Sequence, residues 1–210
     1  MHQTKSLRRC SVAVALAAAL LTWPAAGYAQ LPLPTTSSTI VGDATAASVS
    51  VLGILGTATT TALADTGPIG SNDALDASMV TGGVPSTLTA ETLSSTAISY
   101  ADEVDSAASL GNLSMTVAGI GVTADFVMAQ ASQVLGAPGS GSSTLTNLSI
   151  NGTPIAVSGA PNQAIPVPGG QVIINEQTIS STGTAVVNAL HVVVTGVADV
   201  VIASATAGIS

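Results

Sequence analysis

Residues 185–207 read AVVNALHVVVTGVADVVIASATA, two runs of Val, Ile and Ala on either side of Thr195-Gly196-Val197. Val occupies consecutive positions in both runs, so alternation between an apolar and a polar face is lost. Strands covered on both faces read this way. The stretch therefore predicts a hairpin of strands over Ala185–Thr195 and Asp199–Ala207, placed in the middle of a β fold.

Outward from that hairpin the same grammar recurs. Pro168-Gly169-Gly170 divides Ile165-Pro166-Val167 from Val172-Ile173-Ile174. Asn151-Gly152 separates Leu148-Ser149-Ile150 from Pro154-Ile155-Ala156-Val157. A type I′ turn needs positive φ at both central residues, which Asn and Gly tolerate, so a two-residue hairpin is predicted there. Further strands are predicted over Ala44–Leu55, Thr57–Ala64, Ser94–Tyr100, Leu113–Ala118, Gly121–Ser132, Ser143–Ile150, Thr153–Ser158 and Gln171–Ile179. Short segments rich in Val, Ile and Thr between Gly, Pro and Asn turns indicate an all-β protein, an antiparallel sandwich or barrel-like single domain over residues 41–210. Two stretches dilute the pattern and read as flexible joints. One is 65–92, with a short strand near Met79-Val80; the other is 136–143, around Pro138-Gly139-Ser140-Gly141.

The N-terminus is of another kind. Lys5, Arg8 and Arg9 precede an apolar run of 11 residues, Ser11–Leu21, and Gly27-Tyr28-Ala29 places small residues at −3 and −1 before Gln30. Residues 1–29 read as a signal peptide with a helical apolar segment, cleaved after Ala29. The run is shorter than the roughly 20 apolar residues a spanning helix needs. No integral membrane segment is expected in the mature chain, which begins with an extended leader over residues 30–40 (QLPLPTTSS and onward). The expected location is secreted: extracellular, at the cell surface or periplasmic.

Composition excludes much. The leader takes with it all three basic side chains and Cys10, while every one of the 11 carboxylates lies beyond it. The formal charge thus moves from −8 to −11, since three positive charges are lost and none of the negative ones. No Lys or Arg remains to clamp phosphates or track a nucleic acid backbone. No thiol remains for redox or nucleophilic chemistry, and no Lys remains to form a Schiff base or an isopeptide bond.

Two constellations remain as carriers of chemistry. His191 is the one imidazole of the mature chain and lies mid-strand; a triad needs a nucleophile and an orienting acid beside it, and no G-x-S-x-G elbow is present. A packed or hydrogen-bonded role outweighs a hydrolytic one. Asp102, Glu103 and Asp105 put three hard oxygen donors within four residues, which suits Ca²⁺. In a strand Glu103 and Asp105 share one face with Asp102 opposite, so convergence on an ion would need a turn. A solvated acidic face outweighs that reading as well. Glu91, Glu103 and Glu176 are conceivable as a glycosidase pair, but Tyr100 and Phe126 are too few aromatic platforms for sugar subsites.

The C-terminal half carries a more specific signature. In order it contains STLTNLSINGTPIAV, APNQAIPVPGGQVIINEQ and VNALHVVVTGVADVVIASATAGI. These motifs resemble the choice-of-anchor P family of bacterial secreted and surface proteins, and Ala44–Leu55 and Ser106–Gln130 resemble its earlier segments. The resemblance implies an exported β-rich module with no assigned catalytic residues. It implies that Asn151, Gly152, Asn188, His191 and Asp199 are structural signature positions, whose hydrogen bonds and turn geometry set strand register. The chain stops directly after the shared motif, so covalent surface attachment is not expected. The expected function is accordingly non-enzymatic: structural, adhesive or self-associating, with a second copy or another envelope component as partner. No cofactor is required. A Ca²⁺-dependent ligand-binding module stands second, and a hydrolase centred on His191 third.

Overall fold

The structure, a computed structural model, describes residues 38–52 and 57–210. The expected signal peptide and most of the expected leader lie outside the described residues. So do the last three residues of the strand predicted over Ala44–Leu55.

Thirteen strands and no helix are found among the described residues. They are β1 (Ile40–Leu52), β2 (Ala58–Asp65), β3 (Ala74–Val84), β4 (Leu88–Ser99), β5 (Glu103–Val117), β6 (Ile120–Val134), β7 (Ser140–Thr146), β8 (Ser149–Ile150), β9 (Thr153–Pro154), β10 (Gln163–Val167), β11 (Gly170–Ile179), β12 (Ala185–Val194) and β13 (Ala198–Ile209). A six-stranded sheet runs β10-β11-β12-β13-β1-β2, and a seven-stranded sheet runs β3-β4-β5-β6 with β7 and β8-β9 beyond β6. Every strand pairing is antiparallel. The inner faces pack β1, β12 and β13 against β4, β5, β6 and β7, so the chain is a β-sandwich.

The hairpin that opens the sequence reading occupies the centre of the six-stranded sheet, as β12 and β13. Its three-residue loop joins Val194 to Ala198, with Gly196 at φ 71°. Asn151 and Gly152 take φ of 50° and 76° in the two-residue turn between Ile150 and Thr153.

The joint expected over 65–92 is instead an edge strand, β3, and the start of β4. Ten pairs register β3 on β4, from Ala74 opposite Ile98 to Val84 opposite Leu88. Its residues are mostly exposed on both sides, and an edge strand with little buried surface has no strong apolar period to display. The joint expected over 136–143 is a turn that leads into β7 at Ser140. The strand predicted from Leu113 begins ten residues earlier, at Glu103, because Ser106 and Ala108 fill inward positions that sequence reading expects to be larger and apolar.

The core is built from small aliphatic side chains. Ala44, Ala46, Ala47, Ala189, Ala203, Ala205 and Ala207 in one sheet face a second layer that includes Ala97, Ala108, Ala129 and Ala131. Small side chains allow close approach, and many weak dispersion contacts replace a few large ones.

One feature runs through both sheets. In the six-stranded sheet the inward alternation slips by one residue on each long strand, so that two consecutive residues face the core. These are Ala46-Ala47, Leu63-Ala64, Ile174-Asn175, Ala189-Leu190 and Ile202-Ala203, all buried. The slips line up across the sheet. Register places Asn175 beside Ala189, Ala189 beside Ala203, Ala203 beside Ala46 and Ala46 beside Ala64. On alternate strands the slip residue has positive φ: Asn175 53°, Ala203 53°, Ala64 45°.

The seven-stranded sheet has a matching row through Val80, Thr92, Asn112, Asp125 and Asn147, with φ of 47°, 48° and 52° at Thr92, Asn112 and Asn147. Here the doubled residues point outward: Glu91-Thr92, Asp125-Phe126 and Thr146-Asn147 are all exposed. β7 and β8 are one strand interrupted by this row, since Phe126 opposes Thr146 and Thr123 opposes Ser149, three residues further on in both directions. Inward from one sheet and outward from the other is the same direction in space. In the six-stranded sheet register is unbroken through the row, so neighbouring strands slip together; in the seven-stranded sheet register shifts between β4 and β5.

Candidate functional site

The richest polar cluster lies on the outer face of the six-stranded sheet, beside the slip. β11 supplies Glu176, β12 supplies Asn188 and His191, and β13 supplies Asp199. Glu176 faces Asn188 directly, and the Asn188 amide donates to Glu176 Oε2 at 2.7 Å. The same carboxylate oxygen lies 2.8 Å from His191 Nδ1, and Asp199 Oδ1 lies 2.9 Å from Nε2. The His191 side chain is 16% exposed. The network ties three neighbouring strands across the centre of the sheet, where the flanking side chains are Val and Ile. A register slip of one residue would move every one of these groups to the core face.

The chemistry open to this cluster follows from its occupancy. Both imidazole nitrogens lie against carboxylates, so a hydroxyl nucleophile could reach either only by displacing Glu176 or Asp199. The two acids lie on opposite sides of the ring. Among the described residues no group of three His, Cys, Asp or Glu side chains is arranged to share a metal ion.

The three acids considered for Ca²⁺ are placed as follows. Glu103 and Asp105 lie on the outer face of β5, two residues apart, while Asp102 sits in the turn between Tyr100 and Glu103. The turn carries Asp102 away from the strand face, and its backbone carbonyl accepts from Leu135 N–H at 2.8 Å. Asp102, Glu103 and Asp105 do not converge. Glu91, Glu103 and Glu176 are likewise separated, with Glu176 in one sheet and the other two in the other.

Most of the remaining polar groups serve the slip rows. Asn112 donates to Glu91 Oε2 at 2.7 Å and Asn147 to Asp125 Oδ2 at 2.6 Å. With Asn188 and Glu176, that makes three amide–carboxylate braces between neighbouring strands, each next to a slip. Asn151 Oδ1 accepts from Gly121 N–H at 2.8 Å, pinning the β8-β9 turn to β6. Two further residues, Gln133 and Asn175, are the most committed of all. Gln133 is 2% exposed; its amide donates to the carbonyls of Ala137 and Thr182 at 3.0 and 3.1 Å, and its carbonyl accepts from Ile209 N–H at 2.9 Å. Asn175 is 3% exposed, donates to Gly159 O and accepts from the Gln177 amide. A Gln in a polar-looking strand end gives no sequence signal of burial. An isolated Asn inside a strand does give one, because Asn tolerates positive φ.

One carboxyl is electrostatically perturbed. Asp43, on β1, has an Oδ1 buried without a hydrogen-bond partner. Asp65 lies next to it, its Oδ1 accepting from Thr45 Oγ1 and Gly67 N–H, both at 3.0 Å. Burial first, and the Asp65 charge second, hold the Asp43 carboxyl above its ordinary 3.8. The folded state therefore binds this proton more tightly than the unfolded state. Its contribution to stability falls as pH rises from the unfolded value through the folded one. Asp43→Asn is expected to raise the urea midpoint relative to the native chain, and by more at pH 7 than at pH 4. Equal gains at the two pH values would refute the assignment.

No protein-family model matches the chain, and neither a curated protein nor a solved structure does. No helix among the described residues is long and apolar enough to cross a membrane.

Proposed function

We propose that the chain is exported and works at the bacterial envelope or outside the cell as a non-enzymatic β-domain, structural or adhesive, that associates with copies of itself. The observation that carries this reading is the engagement of both His191 nitrogens by Glu176 and Asp199. It commits the best candidate base to holding strands together. The choice-of-anchor P motifs and the basic-then-apolar N-terminus support export. The outer faces of the sandwich, lined by Thr, Ser, Ala, Val and a few acids without Lys or Arg, support a surface whose dispersion depends on carboxylate repulsion.

Neutralising those carboxylates is expected to let the molecules associate. Static light scattering on the purified chain should report a monomer at pH 7 and larger species near pH 3.5, at or below ordinary Asp and Glu pKa values. A constant monomer mass across that range would refute self-association.

A further inference from the structure

We propose that the free edge of β3 is the surface through which two copies of this chain pair, as antiparallel strands about a two-fold axis at Met79; this rests on the self-associating role proposed above. An exposed sheet edge is a row of unpaired N–H and C=O groups that another strand can satisfy, and proteins ordinarily guard it with Lys, Pro or cover. The sandwich has four edges, and their protection is unequal. β10 carries Pro166 and β9 carries Pro154. β7 is covered from the other sheet: Gln177 donates to the Gly141 carbonyl at 3.1 Å, and Val187 packs against Gly141. β2 spans eight residues and ends in Asp65, folded back onto Thr45 and Gly67.

β3 meets β2 of the other sheet, with Leu63 beside Gly82, but neither proline nor a basic side chain guards its length. It is 11 residues long without Lys, Arg or Pro, its one charge is Asp76, and Val80 at its middle is 83% exposed.

The distribution of side chains along β3 favours a second copy as the occupant. A two-fold axis at Met79 sets Met79 against Met79, Ser78 against Val80 and Asp76 against Gly82. Each carboxylate then faces a residue with no side chain. The two Asp76 groups stand six residue steps apart, about 20 Å at ~3.3 Å per residue. That exceeds the screening length of about 8 Å at physiological ionic strength. Apolar groups meet at the axis and like charges are kept apart. Pairing of the two edges would extend the seven-stranded sheet across both molecules.

The test is sedimentation equilibrium of the full chain near pH 3.5 with three variants. Val80→Lys and Ser78→Lys place a cation on this edge at exposed positions; Ala164→Lys places the same charge on the edge of β10. The expected result is a dimer for the native chain and for Ala164→Lys, with the dissociation constant raised at least about tenfold in both β3 variants. The second β3 variant decides if the first fails to fold. Native-like association of the β3 variants overturns the β3 assignment and leaves self-association standing. Equal loss in all three variants also overturns the assignment. A native chain that remains monomeric overturns both.

Discussion

Gln133→Leu is expected to lower the unfolding free energy by about 1 to 3 kcal/mol, because the buried Ile209 N–H loses its acceptor, while the carbonyls of the exposed residues Ala137 and Thr182 can turn to water. The geometry explains why the loss concentrates there. Gln133 stands near the end of β6, yet its amide reaches the turn at Ala137 and the loop carbonyl of Thr182, which belongs to the connection between β11 and β12. Its carbonyl holds Ile209 N–H near the end of β13. One side chain thus links the rim of the seven-stranded sheet to two places on the rim of the six-stranded one. A Cβ placed on Gly183 would fall within 2.3 Å of the Gln133 amide nitrogen, while on its other side the amide borders an open cleft lined by Leu135, Pro138 and Ser181. Urea denaturation with fluorescence from Tyr100, or far-ultraviolet circular dichroism, measures the change. A loss under about 1 kcal/mol would mean that solvent replaces the three bonds without cost.

How much of this molecule is legible beforehand depends on where large aliphatic side chains concentrate. The β12-β13 hairpin, the Asn151-Gly152 turn and the two-residue Pro168-Gly169 connection are readable because Val and Ile runs are bracketed by residues suited to the turn. β3 is not, since an edge strand exposed on both sides carries Ala, Ser, Thr and Gly where a period of two would need contrast. The first half of β5 is hidden for a related reason: Ser106 is buried at 4% exposure with no hydrogen-bond partner, an arrangement that polarity alone argues against. The polar cluster was half legible. Asn188, His191 and Asp199 could be expected to hold strands, but Glu176, the shared partner of Asn188 and His191, lies on the preceding strand and only sheet register brings it opposite. The acids at Asp102, Glu103 and Asp105 attract attention by proximity in sequence, while the acids that do structural work, Glu91, Asp125 and Glu176, are isolated in sequence. Their shared feature is an Asn on the adjoining strand. Asparagine carries more information here than any other residue: of the seven in the chain, all but Asn188 take positive φ.

The slip rows give the second large expected effect, and it distinguishes backbone strain from simple crowding. Ala203 combines three constraints: positive φ of 53°, complete burial, and a place in the row between Ala189 and Ala46. Left-handed backbone costs an L-residue roughly 1 to 2 kcal/mol, and a β-branched side chain is more restricted there than Ala. Extra methyl groups forced into a packed core add about 1 to 3 kcal/mol. Ala203→Val should therefore destabilise by about 1 to 3 kcal/mol from crowding alone, with the tighter restriction of a β-branched residue at positive φ added to it. Ala203→Gly behaves differently. It relieves the left-handed strain, loses one buried methyl worth about 0.8 kcal/mol, and frees the unfolded chain by a few tenths to about 1 kcal/mol. These terms oppose one another, so the net change should stay within about 1 kcal/mol. The neighbouring pair supplies the contrast: Ala205, equally buried on the same strand but with ordinary backbone, should lose stability on replacement by Gly, with no strain to recover. Equilibrium unfolding of the four variants Ala203→Val, Ala203→Gly, Ala205→Val and Ala205→Gly tests the reasoning. If Gly is as damaging at position 203 as at 205, the row is held by packing alone and relief of left-handed strain contributes nothing at Ala203.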